Sequence, residues 1–399
     1  MRLALRTCQN KQDYYLLSEI VRVKIDFLFY RGSFLEGRKK HACGNFNRRR
    51  RLPGLECCDQ AAAKTLFSGG VEVLGFRDGY RGIIEKDWMP IDKRAISGLL
   101  HRGGTILGTN NRDNPFNFPV VTAEGKTEYC DVSDQLLQNM QELKLDNLIS
   151  IGGDGTLSIA RELVDKGAHI VGVPKTIDND LAATDQTFGF DTAVATATGA
   201  LDKLHTTAES HHRVMVLEVM GRYAGWIALW SGVAGGADVI LIPEIPWSLE
   251  SITEKLEERQ KEGKPFSIIV VAEGTPAPDG QQVVRERIEG SGDPLRLGGI
   301  GQVVGALVEQ ATGVETRVTV LGHIQRGGSP SPLDRILSTR FGVAAAELAM
   351  SGRSGLMVAL KGNKIVPVPL EDATKKPSLV QSDNEVVQAA RSTGICFGD

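Results

Sequence analysis

Gly152-Gly153-Asp154-Gly155-Thr156 and Pro174-Lys175-Thr176-Ile177-Asp178-Asn179-Asp180 decide how this chain is read. Each segment follows an apolar run, Leu148–Ile151 and Ile170–Val173, with the composition of a buried parallel strand. The first run leads through glycines into a helix beginning near Leu157. Its glycines let a backbone approach phosphates closely, and the helix start offers free N–H groups to them. Asp154 supplies a hard oxygen donor where a phosphate-bridging Mg²⁺ needs one. A tight turn with an aspartate cap has the same local sequence. In the second segment, two carboxylates at i and i+2 in an extended loop point the same way. One can accept a proton from an attacking hydroxyl while the other helps hold a metal, and Thr176 can bond a phosphate or sugar. Standing alone, that segment reads equally as an Asx turn with solvated acids.

Outward from these motifs, short apolar runs alternate with helical stretches, the signature of βαβ units and an α/β fold with mainly parallel sheets. Further strands are expected at Val71–Gly75, Val214–Val219, Val239–Ile242, Ile268–Val271 and Val318–Leu321. Helical spacing marks Thr192–His205, Leu249–Glu262, Gly301–Gln310 and Thr339–Met350, and loops are expected at Gly274–Gly280 and Gly290–Gly299. The 399 residues suffice for two α/β lobes, and 45 glycines suit a fold rich in strand-to-helix turns. No apolar run has the length of a membrane span, so no membrane partner is expected. A net charge of −3 makes no case for nucleic acid.

The opening 62 residues differ from the rest. They hold 13 Lys and Arg against 6 Asp and Glu, whereas the remainder holds 33 against 43. Four of the six cysteines, Cys8, Cys43, Cys57 and Cys58, also fall there. The body, with only Cys130 and Cys396, suits a reduced cytoplasmic location. The opening reads poorly as a secretory signal, because no small-residue cleavage site follows an apolar core. Acidic residues interrupt it as a mitochondrial presequence.

The two opening segments, Met220-Gly221-Arg222-Tyr223-Ala224-Gly225 and Leu321-Gly322-His323-Ile324-Gln325-Arg326-Gly327-Gly328-Ser329-Pro330 resemble, in order, the motifs of 6-phosphofructokinases. The likeness runs from about Val71 to about Gly355. GGDGT alone is also shared by NAD kinases and lipid kinases, which have no need of the sugar-phosphate clamp at His323–Arg326. The resemblance implies two Rossmann-like lobes assembled as dimers or tetramers. It also implies a glycolytic activity, phosphorylation of fructose 6-phosphate on its 1-hydroxyl.

By the same resemblance, Asp178 is the general base, Asp154 the Mg²⁺ partner, and Asp180 a support to both. Arg222 and Arg112 stabilise the transferred phosphoryl group. Thr176, Met220, Gly221 and Glu273 hold the sugar, and His323 and Arg326 its 6-phosphate. Arg213 and Arg317 reach that phosphate from a neighbouring subunit, so the site requires a homo-oligomer. Tyr80 stacks on adenine, and Gly153, Gly155, Thr156 and Lys175 line the donor site. Glycine at 155 leaves room for a nucleotide, whereas lysine at 175 is usual in pyrophosphate enzymes. The combination resembles the ATP-using branch of the mixed-substrate group, so ATP is the expected donor and pyrophosphate the alternative.

Such enzymes open with a phosphate loop of the form ILTGGGDCPGLNAVIR. This chain instead has Asn45-Phe46-Asn47-Arg48-Arg49-Arg50-Arg51-Leu52-Pro53-Gly54-Leu55-Glu56-Cys57-Cys58-Asp59-Gln60. Arg48–Arg51 could be a basic localisation patch or a solvated charge run. A third reading accounts for more. Permitted codons for residues 45–60, read one base later, translate as ILTGGGDCPGLNAVIR. Residues 1–62 are therefore expected to be an aberrant, largely out-of-frame segment without stable packing. Residues 63–399 then form the two interleaved lobes. A homologue that binds the sugar phosphate without turning it over is the competing reading.

Overall fold

The computed structural model describes residues 53–110, 113–287 and 295–399. Residues 1–52, most of the opening segment, lie outside the described residues, as do 111–112, which include Arg112, and 288–294.

Two sheets carry the fold. One runs Thr316–Val320, Val214–Val219, Ser267–Ala272, Val239–Leu241 in spatial order, all parallel. The other runs Lys364–Pro369, Leu356–Lys361, Ile170–Thr176, Leu148–Gly152, with Phe188–Gly189 beside the end of Ile170–Thr176. Helices cover both faces of the inner strands. Hence Leu148–Gly152, Ile170–Thr176, Val214–Val219 and Ser267–Ala272 are buried along their whole length.

The expected strands and helices are present, with ends displaced by a few residues. Two differences have physical causes. Val73–Phe76 pairs antiparallel with Trp88–Ile91, although the βαβ rhythm suggested a parallel strand. The hairpin Leu356–Lys361 to Lys364–Pro369 was not expected, although its two-residue Gly362-Asn363 turn is the sequence signal for one. Two helices are much longer than expected, Phe190–His211 and Pro332–Met350, whereas Leu249–Lys261 is one residue shorter.

The expectation that residues 1–62 lack packing does not hold at its C-terminal end. Leu55–Ser68 is a helix, and Leu55, Cys57, Cys58 and Ala62 are fully buried. It packs closely on Pro332–Met350 at Gly342, where a Cβ would stand 2.4 Å from the Cys58 carbonyl. Gly54, at φ 93, starts the helix, and the run Ala61-Ala62-Ala63 favours its continuation.

The chain crosses between lobes after Gly189, returns at Ser331, and crosses again after the helix Leu370–Thr374. Asp334 joins the first two crossings. Its buried carboxylate accepts N–H groups from Gly189 and Thr192, both at 2.9 Å, and the Thr192 hydroxyl at 2.5 Å. Asp334→Ala is expected to destabilise the fold by about 2–3 kcal/mol, because it orphans buried donors at a helix start. Urea unfolding measures this; a midpoint unchanged from the parent would show that the crossings do not depend on that carboxylate. Among the described residues, no helix is long and apolar enough to cross a membrane.

Candidate active site

All the motifs lie at the C-terminal ends of parallel strands, where α/β sheets collect their ligands. Gly152 ends one strand and Thr176 its neighbour. Met220, Glu273 and Leu321 directly follow three strands of the other sheet. The cleft between the lobes therefore receives residues from both sheets.

In the first lobe, the two opening segments touch. A Cβ on Gly153 would lie 3.5 Å from the Lys175 carbonyl and 3.6 Å from the Thr176 Cβ. The Thr156 side chain occupies the space beside Gly152, where a Cβ would come within 2.2 Å of it. Asp154 is the exposed first residue of the helix Asp154–Asp165. Gly155 faces open space, with nothing within 4 Å of where a Cβ would stand.

Asp178 stands at the centre. The Thr176 hydroxyl lies 3.2 Å from Asp178 Oδ2 and accepts the Asp178 N–H at 3.1 Å. The loop is not extended throughout, as the i and i+2 spacing suggested. Asn179 adopts φ 53, a conformation asparagine tolerates, and its Oδ1 accepts the Thr187 N–H at 2.9 Å. Asp178 and Asp180 still feel one another. Burial, and then the Asp178 charge, push the Asp180 carboxyl up, while Arg222 pulls it down.

The second lobe supplies the opposing wall. Arg326 is buried, with one guanidinium nitrogen 3.9 Å from Asp178 Oδ1 and its Nε 3.3 Å from Met220 Sδ. Glu273 accepts the Arg222 N–H at 3.1 Å. Burial, and then the nearby Asp178 charge, raise Glu273 to about 7. The loop shape comes from sterics. Arg222 has φ 55, and a Cβ on Gly274 would fall 1.8 Å from the Arg222 carbonyl oxygen.

The structure brings Asp154, Thr176, Asp178, Asp180, Met220, Gly221, Arg222, Glu273 and Arg326 to this cleft, with His323 exposed on the turn Gly322–Arg326. Gly153, Gly155 and Thr156 form the glycine turn beside it, whereas Tyr80, Lys175, Arg213 and Arg317 are placed differently. Tyr80 has a ring only 1 % exposed, and its hydroxyl lies 3.2 Å from Ser150 Oγ and 3.3 Å from the Thr156 carbonyl. As placed, it braces the glycine turn and presents no face to a base. Lys175 is 1 % exposed and faces the Asp59 carboxylate rather than open space. Arg112 lies outside the described residues.

Arg213 and Arg317 sit near the N-terminal ends of their strands, on the far edge of the sheet. A six-residue strand spans roughly 20 Å, so neither reaches this chain's own cleft. Both pair with Glu315, Arg213 through its Nε at 2.6 Å.

Gln325 was missed by sequence reasoning. It is fully buried, and its Oε1 accepts the Met220 N–H at 2.8 Å, tying the two second-lobe motifs together. Its place inside the most specific motif was the available signal. Among the described residues, no group of three or more His, Cys, Asp or Glu is arranged to hold a metal alone. Mg²⁺ commonly takes one or two carboxylates and completes its shell with phosphate oxygens and water. The exposed Asp154 beside Asp180 fits that mode.

The phosphofructokinase family model matches residues 50–349. ATP-dependent 6-phosphofructokinase 2 of Clostridium perfringens is 52% identical over 349 residues, covering 87% of this chain and 95% of that protein. ATP-dependent 6-phosphofructokinase of Chloroflexus aggregans is 51% identical over 348 residues, with the same 87% and 95% coverage. Among solved structures, phosphofructokinase of Pichia pastoris in the T-state superposes with a TM-score of 0.71 at 28% identity. That match covers 92% of this chain and 40% of the longer yeast chain. Given a cleft built from these motifs in this order, and relatives identical at half their positions, the chain belongs to the phosphofructokinase family.

Proposed function

We propose that the chain transfers the γ-phosphoryl group of ATP to the 1-hydroxyl of D-fructose 6-phosphate, yielding fructose 1,6-bisphosphate in cytoplasmic glycolysis. The observation that carries this is the approach of Arg326, from the sugar-phosphate clamp, to Asp178, from the carboxylate loop, across the cleft at 3.9 Å. A sugar held by its 6-phosphate at Arg326 and His323 would thus be anchored beside the group that takes its hydroxyl proton. Thr176 orients that carboxylate, and Glu273, Met220 and Gly221 line the sugar's wall. Arg222 and Arg112 offer positive charge to the phosphoryl group in flight, the largest contribution an enzyme makes to such a transfer. Asp154 and Asp180 would hold Mg²⁺, which neutralises charge on the donor phosphates when bound. Arg213 and Arg317, remote from this cleft, would serve a neighbouring subunit's 6-phosphate, making the active form a homo-oligomer, a dimer or a tetramer.

ATP is favoured as donor by the open space at Gly155 and by Lys175, which is turned into the interior. The curated relatives named above are also described as ATP-dependent. A comparison of ATP with pyrophosphate under matched Mg²⁺ tests the donor; faster turnover with pyrophosphate would overturn it. Gly155→Asp is expected to lower kcat/KM for ATP at least tenfold by filling that space with a like-charged group. An unchanged kcat/KM would mean that the nucleotide lies elsewhere.

A sugar-phosphate-binding homologue without turnover is the second reading, because Arg48–Arg51 stand where the glycine-rich loop is expected. Calorimetric binding of fructose 6-phosphate without ADP release would select it.

A further inference from the structure

The helix Leu55–Ser68 carries two carboxylates in a place that provides little for them. Asp59 is 2 % exposed, and neither of its carboxylate oxygens has a hydrogen-bond partner. Glu56, one turn earlier and equally buried, takes a backbone N–H from Ile106 and leaves Oε2 without a partner. The charged neighbours are few. Asp59 faces Glu56 and Lys175, and Glu56 faces Arg102. Beside them Cys57 faces Arg335, and Cys58 is sealed in the core. Buried carboxylates are normally paired or hydrogen-bonded, so two adjacent exceptions on one helix need a cause.

The neighbouring reading frame supplies one. Read one base later, the codons permitted for residues 52–60 give Cys, Pro, Gly, Leu, Asn, Ala, Val, Ile and Arg. Pro53-Gly54-Leu55 is the same in both frames, so the helix start is kept. The three following buried positions after 56, now Cys57, Cys58 and Asp59, become Ala, Val and Ile. Burial and sequence then agree at 57–59, where the chain as written places an acid at 59, while buried position 60 changes from Gln to Arg. The family match begins at residue 50, three residues before this shared stretch.

We infer that the positions up to about Gln60 are encoded, in the gene this fold evolved with, by the neighbouring frame, and that a single-base insertion or deletion near Gln60 separates the two. Upstream, the same frame reads the glycine-rich phosphate loop quoted above. That upstream part rests on the proposed kinase reading, but the conflict inside the helix does not.

Two measurements test the inference without any assay of activity. In protein isolated from its native source, trypsin would release residues 52–64 of the written sequence as one peptide, Leu52–Lys64. The inference expects this peptide to be absent and replaced by one ending in Asn-Ala-Val-Ile-Arg, with DNA across codons 40–65 agreeing. Finding Leu52–Lys64 intact, with an uninterrupted frame, overturns it.

The second measurement takes the chain as written and makes Asp59→Ile, alone and with Glu56→Asn. Burial raises both carboxyls above their unfolded values. Folding is therefore least penalised while they are protonated, and it loses ground as pH rises from about 4 through the folded values. The variants should accordingly raise the thermal midpoint by roughly 5 °C at pH 8 and by less at pH 5. A midpoint unchanged or lowered at pH 8 in both variants would show that the helix accommodates its acids, and would overturn the structural half. Loss of ATP-dependent turnover alone would bear on the proposed function and leave both readouts intact.

Discussion

Replacing Asp178 with asparagine is expected to lower ATP-dependent turnover by roughly a hundred- to ten-thousand-fold, the usual worth of a positioned general base. Asparagine keeps the shape of aspartate and can still accept the hydroxyl hydrogen of Thr176, 3.2 Å from Oδ2 in the parent. It cannot take up a proton at neutral pH. The proposed 6-phosphate clamp keeps both its side chains, and Arg326 loses only the charge of a carboxylate 3.9 Å away, so fructose 6-phosphate affinity should stay within a few-fold. A coupled ADP-release assay gives kcat, and calorimetry gives the affinity. If KM rose while kcat held, Asp178 would be a sugar ligand and the base would lie elsewhere.

Gly274→Ala has the second largest expected effect, and it acts through backbone alone. A Cβ there would stand 1.8 Å from the Arg222 carbonyl oxygen and 2.9 Å from its carbon. Neither atom is the flexible end of a side chain, so the Arg222 loop or the end of its neighbouring strand must move. The displaced residues include Glu273, whose carboxylate accepts the Arg222 N–H. Overpacking of this kind costs about 1–3 kcal/mol. Because Arg222 is the cation beside Asp180, kcat should fall at least tenfold as well. Gly199→Ala is the control, since its Cβ would meet nothing nearer than Lys203 Nζ at 3.9 Å. Urea unfolding with steady-state kinetics on both variants decides; a Gly274→Ala enzyme with parental kinetics would show that the Arg222 loop tolerates the shift.

Most of the cleft was legible in the sequence because its chemistry is carried by short contiguous motifs. Each follows a strand with a clear apolar run, so strand ends and candidate residues were read together. Residues whose role depends on the third dimension were not. Tyr80 lies in a segment resembling a nucleotide site, yet the glycine turn captures its hydroxyl through Ser150 and Thr156. Lys175 alternates onto the interior side of a fully buried strand, which one-dimensional spacing beside a glycine turn cannot disclose. Gln325 and Asp334 look like ordinary polar residues until the second-lobe loop and the lobe crossings are assembled around them. The terminal hairpin was missed because its strands mix lysine and proline with apolar residues, and only its turn is distinctive.

The order of strands in the first lobe has a consequence for biosynthesis. Ile170–Thr176 has Leu148–Gly152 on one side and Leu356–Lys361 on the other, and the whole second sheet is encoded between those two neighbours. A nascent chain emerging from the ribosome therefore finishes the second sheet first. On the strand that carries Thr176, Val171 and Gly172 wait for their second neighbour until Leu356–Lys361 is synthesised, while the Thr176 end pairs early with Phe188–Gly189. Such long-range pairing is slow, and a waiting apolar edge is an invitation to aggregation. The lobe begun first is completed last, so the vulnerable interval falls on the strand that leads into the carboxylate loop.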